Sequence, residues 1–222
     1  RLWAQKFSDH NADYACLIHM GLSEKEMAKL FLEINDNQKR VPSSLRWDLV
    51  RLVSPDGDPS ATAASELVYL LATEEDSPLY QRIDLTGEQK EIEIKQGSLA
   101  PDIKRILNCR KPPINELTFD QQLQLIIQYI IAIREVDSSE WGTKQSKFYK
   151  IRILRALLRL MPDLVYEYRD NDDLALIRFK FFLSFLKRID PDSLEADKIR
   201  AAQGSAGIKA IYDDIKSQIF RS

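Results

Sequence analysis

The residues with the clearest binding chemistry sit in one run. Asn35, Asp36, Asn37, Gln38, Lys39 and Arg40 follow one another directly, and Val41-Pro42 closes the run. Two apolar, helix-like patterns flank it. Amides and cations packed together between such segments read in two ways. They form a solvated loop, in which Asn35 ends the preceding helix in the left-handed conformation that Asn tolerates and Gln38 is simply exposed. Alternatively, they form the rim of a pocket that meets a polar, anionic ligand.

A second concentration lies further on. Lys144, Lys147, Lys150, Arg152, Arg155 and Arg159 supply six cations over residues 144–159, with no acid among them. At about 100° per residue, Lys144, Phe148, Arg152, Arg155 and Arg159 share one side of a helix. Tyr149, Ile153, Ala156, Leu157 and Leu160 share the other. Such a basic face, with Phe148 as an exposed aromatic, suits a phosphate backbone. DNA-binding candidates are therefore Lys39, Arg40, Lys144, Lys147, Arg152, Arg155 and Arg159. The competing expectation is that the acidic stretch just downstream, "PDLVYEYRDNDD", neutralises the face.

Other chemistry is missing. There is no GxxxxGK[ST], HExxH or GxSxG pattern and no recognisable pair of catalytic carboxylates. No catalytic residue is assigned, and whether the protein is an enzyme stays open. Cys16 and Cys109 lack metal or redox spacing, and His10 and His19 do not complete a zinc set, so no metal site is expected. The acidic run at residues 170–173 reads as a helix cap near Leu174.

The 222 residues, 44% hydrophobic and 30% charged, describe a globular chain with enough length for a substantial core. A net charge of -2 confines any nucleic-acid contact to local patches. No apolar run approaches the ~20 residues of a membrane helix. The cysteine usage fits a reducing cytoplasm. The chain starts at Arg1 without an initiator Met and reads as a piece of a longer protein.

The elements that must position these residues follow from the pattern. Residues 13–21 read as a buried strand. Ser23 caps a helix with Glu26 as its capping-box partner, and that helix carries Met27, Leu30, Phe31 and Ile34 on one face. Ser43 or Ser44 caps the next helix, with Leu45, Leu49 and Leu52 inward. Ile83 and Leu85, then Ile92 and Ile94, alternate about a turn containing Gly87 and predict a β-hairpin. Ser98 caps a helix running through Leu107. The two prolines after Cys109 mark a boundary. Beyond it the patterns are helical, including one that starts at Lys144, one over residues 172–189, and one over residues 191–203. The expected fold is α+β, predominantly α-helical: an α/β piece over residues 1–110, then a helical half over residues 111–222.

One stretch carries a family likeness. Phe31-x-x-Ile34-Asn35-x-x-Gln38-x-x-Val41-Pro42-x-Ser44-Leu45, preceded by Met20-Gly21-Leu22-Ser23, resembles the bacterial DGQHR-domain proteins, which include the DndB-type regulators of DNA phosphorothioation. Trp141 after a long helix and "GSAGIKAIYDDI" near the end are similar to the family's helical part. The name motif itself is not in the chain; Arg1-Leu2 matches its last residue and successor. The resemblance implies a remnant of a fold related to ParB and sulfiredoxin. It also implies a nucleotide or ligand pocket at Arg1, Asn35, Gln38 and Ser44, with an NTP as the possible cofactor. Arg1 would face phosphate, and the amides would face base or ribose edges. The function implied is a DNA-associated regulatory or accessory protein of a DNA-modification or phage-defence system, with DNA and other proteins of that system as partners. The alternatives are an NTP-dependent, nuclease-like restriction component and a helical scaffold for proteins.

Overall fold

The structure, a computed structural model, describes residues 18–36, 43–52, 59–89, 91–168, 173–195 and 204–220. Among them are eight α-helices: α1 (Glu24–Asp36), α2 (Ser43–Leu52), α3 (Pro59–Thr73), α4 (Gln96–Leu107), α5 (Phe119–Val136), α6 (Ile151–Tyr166), α7 (Phe179–Leu186) and α8 (Gly204–Ile219). The only strands among the described residues are β1 (Ile83–Asp84) and β2 (Ile94–Lys95). The fold is α+β and predominantly helical, as the sequence pattern predicts.

Local signals place several helix starts. Glu26 accepts from the Ser23 backbone N–H at 2.8 Å, and Ser23 Oγ accepts from Glu26 N at 3.3 Å, so the capping box opens α1. Thr118 and Gln121 make the same reciprocal pair at the start of α5. Asp173 accepts from Ala175 N at 3.0 Å and caps the short 3-10 turn Leu174–Leu176.

The core is one connected cluster from Ala64 to Ile219. Helix α4 is its hub: it packs on α2 and α3 on one side and on α6 on the other. Helix α5 packs on α7, and α8 packs on α6. Tyr129 is fully buried in α5, stacks edge-on against Phe182 at 4.9 Å, and donates to Leu157 O at 2.7 Å. Burial keeps its hydroxyl protonated far up the pH scale. Gly97 lets α4 approach α2. A Cβ there would lie 2.8 Å from the Ser43 carbonyl carbon, and Gly97 N donates to Ser44 Oγ at 3.2 Å.

Several local expectations need correction. The predicted hairpin is a parallel pair, Ile83 opposite Ile94 and Asp84 opposite Lys95. The buried Asp84 carboxylate accepts from Thr86 N, Gly87 N and Gln89 N and from the Thr86 hydroxyl. These bonds fold the connection into a loop that returns the chain in the same direction. Helix α4 starts at Gln96 with Lys95 as its N-cap, so Ser98 lies inside it. Helix α6 starts at Ile151, seven residues after the predicted start at Lys144. Turn chemistry wins over periodicity there. Gly142 takes a φ of +78°, and Ser146 Oγ bonds Asp137 and accepts from Tyr149 N at 3.0 Å. The turn drives Phe148 inward to 2% exposure, so it is a core residue and not an exposed aromatic.

At the N-terminal end, residues 18–21 are exposed and do not form the end of a buried strand; residues 13–17 of that segment lie outside the described residues. Met27, Phe31 and Ile34 stay 42–51% exposed, because α1 packs mainly on α2 and buries Ala28 instead.

Candidate functional site

Of the residues singled out by sequence, the structure describes only some. Arg1, Gln38, Lys39 and Arg40 lie outside the described residues, as does the side chain of Asn35 at the end of α1. Ser44 is buried, with its hydroxyl under the first turn of α4. Lys144 is exposed beside a cavity of about 240 Å³ that Arg82, Glu91 and Glu93 also line, a setting of mixed charge. Lys147 donates to Asp192 at 2.6 Å, and this bond holds the Asp192 carboxyl below its usual range. Arg152 is half-buried on α6.

Arg155 and Arg159 are brought together, on a partner the sequence did not indicate. Asp102 projects from α4 into the contact with α6 and is 2% exposed. Arg155 Nε donates to its Oδ2 at 2.6 Å, and Arg159 Nε donates to its Oδ1 at 2.8 Å. One carboxylate thus faces two guanidinium groups one helical turn apart. Burying an acid at this contact is tolerable because both oxygens are met by charge-assisted bonds. The arrangement leaves a positive remainder at the surface.

Further cations extend it. Arg105, one turn beyond Asp102 on α4, is exposed, and Lys209 on α8 pairs with Asp213 on its own exposed face. Arg105, Arg159 and Lys209, with Ser205, Ala206 and Tyr212, line a cavity of about 460 Å³ where α4, α6 and α8 meet. Among the described residues no carboxylate lines it. Tyr212 is anchored from behind: its hydroxyl donates to Asp163 Oδ2 at 2.7 Å and accepts from Lys216 Nζ at 2.9 Å. Burial raises the Tyr212 pKa, and the bond to Asp163 raises that of Lys216, so the tyrosine stays neutral and the lysine charged.

Sequence reasoning missed Asp102, Arg105, Ser205 and Lys209. The one-turn spacings of Asp102 with Arg105, Arg155 with Arg159 and Ser205 with Lys209 were visible. The pairing of α4 with α6, more than fifty positions apart, had no local sign. Among the described residues no group of three His, Cys, Asp or Glu side chains is placed to hold a metal ion, and no helix is long and apolar enough to cross a membrane.

Compared with protein-family models, curated proteins and solved structures, the chain gives no match.

Proposed function

We propose that the chain is a DNA-associated regulatory or accessory protein, acting in the DNA-modification or phage-defence setting that the DGQHR resemblance implies. The observation that carries this reading is the charge imbalance at the α4–α6–α8 junction. Arg105, Arg155, Arg159 and Lys209 gather there against Asp102 and Asp213. Such an excess on a chain of net charge -2 is a local feature, and local basic patches are what phosphate backbones select. The contact shifts from the basic face expected around Lys144 to the mouth of this junction, since Lys147 is held by Asp192 and Phe148 is buried.

The reading is tested by duplex-DNA binding over a salt series with the full chain. Three or so phosphate contacts give a slope of log affinity against log salt of about -3. An Arg105→Ala/Lys209→Ala double variant should weaken binding and flatten the slope by about 2. Binding that ignores both salt and the double variant rejects the junction as the contact surface.

A further inference from the structure

We infer that the cavity between α4, α6 and α8 is a binding site for a phosphate monoester carried by a small molecule. This goes beyond the DNA reading, because an anion held in the cavity requires no duplex on the surface. Its volume of about 460 Å³ falls within the ~300–1,000 Å³ usual for small-molecule sites. Three of the six described residues that line it are cations, one from each of the three helices, and none of the six is acidic. Cations that converge from three elements surround a compact anion, whereas a solvated helix face spreads them along one line.

The described acids bonded to lining residues, Asp102, Asp163 and Asp213, are already committed. Both oxygens of Asp102 are occupied by Arg155 and Arg159. Asp213 bonds Lys209 on an exposed face, where ion pairs are weak and exchange readily. The guanidinium groups of Arg105 and Arg159 match the forked geometry of phosphate oxygens. Ser205 adds a hydroxyl, and the start of α8 adds the positive end of its dipole, which assists the cations and is not the basis of the site. The remaining wall is the Tyr212 ring. Its hydroxyl is tied back to Asp163 and Lys216, so the ring is fixed and offers an apolar surface to the organic part of the ligand.

Isothermal titration of the full chain with inorganic phosphate, a nucleoside monophosphate and a hexose phosphate tests the site. At least one should bind saturably, one per chain, with a dissociation constant below about 1 mM. Arg105→Ala and Lys209→Ala should each weaken it about tenfold. Both residues are surface-exposed, so the variants should keep the wild-type unfolding temperature. Ala206→Phe fills the cavity without changing charge and should abolish small-anion binding while leaving duplex affinity unchanged. Tighter binding of an organic phosphate than of inorganic phosphate assigns the Tyr212 wall a contact. Equal binding assigns the site to the phosphate group alone. No saturable binding of any of the three, or equal binding by the Arg105→Ala/Lys209→Ala double variant, overturns the proposal. Duplex binding without small-anion binding would overturn the cavity and leave the DNA reading standing; the reverse would overturn only the DNA reading.

Discussion

Two buried carboxylates in this molecule are satisfied in opposite ways. Asp84, the last residue of β1, is 0% exposed, and its partners are neutral: three backbone N–H groups at 2.7–3.1 Å and one hydroxyl. Asp102, on α4, is 2% exposed and is met by two guanidinium groups from α6. The first arrangement keeps its charge inside a loop and organises that loop. The second draws two cations to a helix junction and leaves positive charge in excess there. A buried acid met by amides thus marks architecture, and one over-matched by arginines marks a surface with charge to offer an anion.

Removing each carboxylate should separate these roles. Asp84→Ala strands four donors in the loop and should cost about 4 kcal/mol in chemical unfolding. It should leave duplex affinity unchanged. Asp102→Ala leaves two partly buried cations without their counter-charge and should cost about 3 kcal/mol. Unlike Asp84→Ala, it should raise duplex affinity, by about threefold, because the freed arginines add to the junction's field. Equal affinity in both variants would remove the distinction between the two acids.

The sequence shows this contrast unevenly. Signals that act within one turn were legible: the Ser23–Glu26 capping box, the Asp173 cap, and the apolar stripes of α5 and α6. The failures share a cause. A carboxylate that gathers four donors over five residues made a parallel pair out of an apparent hairpin. The Ser146–Asp137 bond delayed α6 and buried Phe148. Both are side-chain bonds that outrank a hydrophobic period. The junction was half legible, since Arg155 and Arg159 were singled out for their charge. Their partner Asp102, and Arg105 and Lys209 beside it, come together only through packing between helices far apart in sequence.

The glycines of the two regions extend the comparison. Gly87 closes the Asp84 loop at a φ of +85°, and Gly204 opens α8 beside the cavity at +57°. Alanine at either position meets left-handed strain of about 1 kcal/mol. Among the described residues nothing lies within 4 Å of a Cβ at Gly204, so strain sets the cost there. Thermal unfolding of Gly87→Ala and Gly204→Ala should show similar small losses. A much larger loss at Gly204 would mean that α8 is positioned by contacts other than its turn.

A third carboxylate gives the smallest effect and sharpens the rule. Asp163 on α6 is met by Tyr212 and by the Lys216 ammonium, both on α8, at the surface rather than in the core. The folded-state pKa values of Tyr212 and Lys216 both lie above their ordinary 10.0 and 10.5, through burial and the bond to Asp163 respectively. A group whose pKa rises on folding stabilises the fold fully below its unfolded pKa and loses that contribution as pH rises through the folded value. The α6–α8 contact should therefore hold through neutral pH and weaken above about pH 10. With the Lys216 side chain 41% exposed, screening keeps the loss under about 1 kcal/mol. Lys216→Met should flatten the alkaline end of the stability profile while leaving it unchanged in shape near pH 7. If the wild type and Lys216→Met lose stability in parallel above pH 10, the ammonium at Asp163 contributes nothing, and only buried carboxylates distinguish the regions of this fold.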